Sequence, residues 1–151
     1  MANKKLLLLS VSAGSGHVRA AEALKSWSAE LYPNIQAEHV DLMTLVPKLF
    51  KTVYADTYVK MVETMPAFWG YLYNKADLEK ENSAAAKVRR AVERLNTVKF
   101  SKLLEDFAPD SVICTHFLPA ELLSGMIKKN RFRKPVWVVD TDFDVHKFWI
   151  H

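Results

Sequence analysis

The stretch KKLLLLSVSAGSGH, residues 4–17, limits the folds open to this chain more than any other. Lys5 to Ser12 is a near-continuous apolar run, which suits a strand whose two faces are both covered by helices. Gly14 and Gly16 then interrupt it. From Gly16 to Leu31 the apolar residues Ala20, Leu24, Trp27 and Leu31 recur at helical spacing, until Pro33 stops the pattern. A buried strand that turns through glycines into a helix is the opening unit of a layered α/β domain.

The same alternation continues along the chain. Ile35 to Met43 reads as a second strand with Asp41 near its carboxyl end. SVICT, residues 111–115, reads as a third; it passes through His116 into a helical pattern from Leu118 to Lys129, and Pro135 opens a fourth strand, VWVVDTD. Strands alternating with helices predict a Rossmann-like parallel sheet flanked by helices and joined by right-handed crossovers. Ligands of such sheets bind beyond the carboxyl ends of the strands. That rule gathers His17, Asp41, Thr115, His116, Thr141, Asp142 and His146 on one edge.

Between the second and third strands the composition departs from a plain α/β unit. Residues 45–75 are rich in aromatic side chains, with Pro47 and Pro66 dividing the segment into at least two helical pieces. Residues 78–107 are charged and alanine-rich, with Val88, Val92 and Leu95 as the apolar stripe of a surface helix. At 151 residues, half of them hydrophobic, the chain supports one complete core, so one domain over residues 1–151 is expected. The single Cys114 lies in an apolar run and reads as a small buried hydrophobe of a reducing, cytoplasmic compartment. No run approaches the roughly 18 to 20 apolar residues that span a bilayer, which points to a soluble or peripheral protein. A net charge of +4 favours anionic partners. The chain reads as having neither a dense Lys/Arg block nor an interleaved basic and aromatic stripe of the kind nucleic-acid modules use, so nucleic acid is not expected as a partner.

The glycine turn is the first candidate for chemistry. Missing Cβ atoms at Gly14-Ser15-Gly16 let a ligand approach the backbone, and the free N–H groups and dipole of the next helix favour negative charge. The third glycine of a dinucleotide fingerprint would fall at Arg19, and no Walker lysine is present, so the alternatives are an unspecialised anion site or a plain strand-to-helix turn. His17 stands at the amino end of that helix, where the macrodipole disfavours the imidazolium. Either it serves as a general base for a hydroxyl nucleophile, or it caps and packs.

SVSAGSGHVRAAEAL, residues 10–24, resembles the glycine-and-histidine opening of the monogalactosyldiacylglycerol synthases and processive diacylglycerol glucosyltransferases. TDFDVHKFWIH, residues 141–151, is similar at every fixed position to their T-D-x-x-x-H-x-x-W-x-H pattern, and THFLPA resembles a third motif between the two. The resemblance implies the acceptor-binding, amino-terminal half of a two-domain glycosyltransferase of the GT-B type, with the nucleotide-sugar domain supplied in cis or in trans. It implies His17 as the base, and Gly14, Ser15, Gly16, His116, Thr141, Asp142, His146 and Trp149 as substrate-binding residues. UDP-glucose or UDP-galactose would be the donor and diacylglycerol the acceptor, with no cofactor and no metal. Lys48, Lys51, Phe68 and Trp69, with Lys60 nearby, would face an anionic membrane at its inner surface. Two other readings stay open: a module that binds anionic lipid or a nucleotide without catalysis, and a transferase acting on an undecaprenyl-linked sugar.

Overall fold

The computed structural model describes residues 4–12, 14–46, 98–141 and 149. In chain order these form β1 (Lys4–Ser10), α1 (Gly16–Leu31), β2 (Ile35–Asp41), a 3-10 turn (Leu42–Thr44), a helix at residues 98–107 termed α2, β3 (Ser111–Cys114), α3 (Phe117–Lys128) and β4 (Val136–Val138). The four strands make one parallel sheet in the order β2-β1-β3-β4. The expected α/β architecture is therefore present, with β1 in the interior of the sheet.

Covering of both faces is most complete on β1, where Leu7, Leu8, Leu9 and Ser10 are all fully buried. Side chains alternate along a strand, so these four divide between the faces. Leu7, Leu9 and Val11 join Val112 and Cys114 in a core with Phe100 and Leu104 of α2, Ala120, Leu122 and Leu123 of α3, and Phe132. The chain moves one way from β1 to β2, then crosses back past β1 to reach β3. Right-handed connections consequently put α1 on the face opposite α2 and α3, over Leu8 and Ser10. Burial pushes the Cys114 thiol up to about 12, so it behaves as a small apolar side chain with little thiolate.

Several boundaries differ from the sequence pattern. β2 ends at Asp41 and does not reach Met43, because the Asp41 Oδ1 accepts from the main-chain N–H of Met43 and of Ser12, each at 3.0 Å. The side chain thereby caps the 3-10 turn and holds the exit of β1 in place of further ladder bonds. β4 stops at Val138, not at Asp142, since its partner β3 is only four residues long and leaves the sheet at Thr115. The last ladder bond runs from Val139 N–H to the Cys114 carbonyl, 2.8 Å. On α1 the inward residues are Ala21 and Ser28; Trp27 and Leu31 are exposed by more than half. The helical period was visible in the sequence, but the buried stripe is rotated toward the smaller side chains that fit close against a sheet.

The tract KKNRFRK, residues 128–134, is a dense basic stretch and corrects the reading of a chain without a Lys/Arg block. Asn130 takes a left-handed φ of 61°, Arg131 N–H donates to the Met126 carbonyl at 2.8 Å, and Phe132 is buried as the anchor of the turn. The five cations sit on the amino edge of the sheet, away from the carboxyl edge that carries His17.

Candidate functional site

The site starts where β1 gives way to α1. Gly14 has φ +87°, a region open to glycine and strained for other residues, so the turn itself requires it. Gly16 is different: it is helical, and a Cβ there would meet nothing within 4 Å among the described residues. Among the described residues neither backbone strain nor a packing contact explains a glycine at this position. Ser15 is the N-cap residue but makes no side-chain cap bond, which leaves its hydroxyl out of the first helical turn. An N-terminus of this kind presents N–H groups and positive dipole to an incoming anion or oxygen.

Substitutions separate the two glycines. Gly14→Ala is expected to destabilise the domain by about 1–2 kcal/mol through the left-handed backbone alone. Gly16→Ala, with open space for its methyl group, should leave stability unchanged or raise it by a few tenths of a kcal/mol. Urea denaturation of both variants checks this; equal losses would show that Gly16 also answers an internal constraint.

His17, in the first turn of α1, is half-buried and held from two other elements. Its Nδ1 lies 3.0 Å from the Thr115 carbonyl oxygen and 2.5 Å from the Thr141 Oγ1. A carbonyl can only accept, so the contact with Thr115 calls for a proton on Nδ1. Nε2 then carries the lone pair, and no hydrogen bond engages it among the described residues. Thr115 is fully buried, and it also fixes the main chain beneath the ring: its hydroxyl donates to the His17 carbonyl at 2.8 Å and its N–H to the Leu9 carbonyl at 2.9 Å.

His116 is placed otherwise. It is 1% exposed, N-caps α3, and its Nδ1 accepts from Leu118 N–H at 3.0 Å. Burial, and secondarily the neighbouring His17, lowers its pKa to about 3, so it stays neutral in ordinary buffers. The two imidazoles meet edge to face with centroids 4.6 Å apart. Trp149 is buried and stands 6.3 Å from the His17 ring and 6.4 Å from that of His116. It also lines a mostly apolar groove of about 410 Å³ with Ala120, Ser124, Ile127, Lys128, Val136 and Val138.

Of the residues expected at the site, the structure brings together His17, His116, Thr141 and Trp149 at the carboxyl edge, with Gly14, Ser15 and Gly16 leading into it. Asp41 lies on the same edge, but two main-chain N–H groups occupy its Oδ1. Asp142, His146, Lys48, Lys51, Lys60, Phe68 and Trp69 fall outside the described residues. The expectation missed the Thr115 carbonyl as a ring partner, which a main-chain atom gives no side-chain signal to reveal. Among the described residues no group of three or more His, Cys, Asp or Glu side chains is placed to hold a metal ion. Among the same residues no helix is long and apolar enough to cross a membrane.

The family model described as monogalactosyldiacylglycerol (MGDG) synthase matches residues 17–151. Neither the curated proteins nor the solved structures contain a match.

Proposed function

This chain belongs to the monogalactosyldiacylglycerol synthase family of glycolipid glycosyltransferases acting on diacylglycerol, and on that premise we propose that it is the acceptor-binding domain, with His17 as the general base. In this reading Nε2 takes the proton from the acceptor hydroxyl as its oxygen attacks the anomeric carbon of a UDP-sugar. The bond from that carbon to the diphosphate breaks, and UDP leaves with the electron pair. The observation that carries the proposal is the hydrogen bonding of His17: Nδ1 faces the Thr115 carbonyl, and the opposite ring nitrogen keeps the lone pair a base needs.

The glycine turn supports the same reading. Among the described residues nothing crowds Gly16, and an α1 N-terminus without a Ser15 cap suits a developing negative charge on the diphosphate. The groove that Trp149 shares with Ala120, Ile127, Val136 and Val138, and with the polar Ser124 and Lys128, has a largely apolar lining in keeping with a lipid acceptor. Such an acceptor lies in a bilayer, so the domain works at an anionic membrane surface, with a nucleotide-sugar domain in cis or in trans forming the other wall of the cleft.

Alignment of donor and acceptor needs both walls, so residues 1–151 alone are expected to transfer negligible sugar. Joined to a donor domain of the family, they are expected to glycosylate diacylglycerol from UDP-glucose or UDP-galactose. Measuring radiolabelled sugar transfer with each donor tests both statements. Robust turnover by the isolated domain, or none by the assembled enzyme with either donor, would overturn the reading.

A further inference from the structure

We propose that Thr141 is a positioning residue: together with the main-chain carbonyl of Thr115 it fixes His17 in the Nδ1–H tautomer. This rests on the reading of His17 as the base for its functional meaning, although the tautomer itself is a property of the folded domain.

The hydrogen-bond directions form a closed set. The Thr141 hydroxyl has one proton, and it donates that proton to the Thr115 carbonyl at 3.3 Å. Its lone pairs are therefore what face the imidazole Nδ1, 2.5 Å away. The Thr115 carbonyl, 3.0 Å from the same nitrogen, offers another lone pair. Two acceptors converge on one ring nitrogen, and the arrangement satisfies every group only if that nitrogen bears hydrogen. With the proton on Nε2, the Nδ1 lone pair would confront the carbonyl oxygen. Thr141 would then have to turn its hydroxyl proton away from Thr115. The second ring nitrogen of a histidine is commonly set by such a partner, and the partner decides which nitrogen is left to react.

The supporting parts come from separate elements. Thr115 follows β3 and is fully buried, its hydroxyl bonded to the His17 carbonyl, so ring and backbone of His17 are held by one residue. Thr141 follows β4, three residues past the end of that strand. A hydroxyl at position 141 thus does what an apolar side chain of the same shape cannot, which separates a polar role from mere packing. Substrate contact, the role implied for Thr141 by the family motif, does not require either bond.

Nitrogen-15 NMR of the ring in residues 1–151, at a pH where the imidazole is neutral, reads the tautomer directly and without turnover. The wild-type chain is expected to show His17 with its proton on Nδ1. Thr141→Val removes one of the two acceptors and should raise the Nε2–H population measurably above that of the wild type, while Thr141→Ser should restore the wild-type signature. A wild-type ring protonated on Nε2 overturns the proposal whether or not the valine variant folds. So does a folded Thr141→Val chain with an unchanged tautomer. The kinetic effect of His17→Ala in the assembled enzyme addresses the base assignment separately, so either idea can fail alone.

Discussion

Replacing His17 with alanine in an enzyme that pairs this domain with a donor domain is expected to lower kcat on the order of 10²- to 10⁴-fold, the range for loss of a positioned general base. The substitution removes the proton acceptor and leaves the attacking hydroxyl to bulk water. Folding should change far less, because His17 is only half-buried and its backbone is still held by the Thr115 hydroxyl. A kcat within about threefold of wild type, a barrier change below roughly 1 kcal/mol, would return His17 to a structural role. Circular dichroism of the variant separates lost chemistry from lost fold. KM for diacylglycerol is expected to stay near its wild-type value, since the proton moves only as the transition state forms.

His116 governs the second large effect, which is on stability and not on turnover. Its folded pKa, about 3, lies below the ordinary histidine value of 6.5. Between those two values the unfolded chain binds a proton that the native state refuses. Stability contributed by the neutral, capping ring is thus full above about pH 6.5 and is lost as pH falls toward 3. One proton limits the slope to about 1.4 kcal/mol per pH unit. Over the whole interval the loss reaches several kcal/mol, comparable with the net stability of a typical domain, roughly 5–15 kcal/mol.

His116→Asn isolates this term. Asparagine is a good N-cap residue and does not titrate, so the Leu118 N–H keeps an acceptor while the acid sensitivity goes. The smaller side chain should cost about 1–2 kcal/mol near neutral pH as lost packing. Toward acid the curve of the variant should be flatter, by up to about 1.4 kcal/mol per pH unit between pH 6 and 4. Urea unfolding at intervals across that range provides the comparison, and parallel pH dependences for the two proteins would remove His116 from the account. Asp110 contributes in the same direction in both proteins, because the Lys5 N–H and nearby lysines hold its carboxyl below the usual range. It cancels in the difference.

Local order along the chain was legible in the sequence. Near-continuous apolar residues announced the buried β1, and the bounds of α1, Gly16–Leu31, follow from its period and from the proline beyond. Gly14 could be assigned to the turn because a left-handed φ leaves its mark on residue choice. The position of His17 at a helix mouth, on the carboxyl edge of a parallel sheet, followed from the alternation of elements. These features depend on residues close together in the chain, whose spacing the sequence states outright.

Other features arise only when distant segments meet. Which stripe of α1 faces inward depends on the sheet beneath it, and the pattern alone favoured Trp27 and Leu31 over the buried Ala21 and Ser28. His116 read as a cleft residue on motif evidence. Packing against α3 and the His17 ring makes it a buried, neutral cap at that place. The tautomer of His17 is the clearest case, because its Nδ1 partners lie 98 and 124 residues away and one of them is a main-chain carbonyl. A peptide carbonyl is the same at every position, so no residue type could mark that one. Sequence placed an imidazole at the mouth of the helix, and tertiary structure decided which of its nitrogens holds the proton, because that choice belongs to the acceptors around the ring.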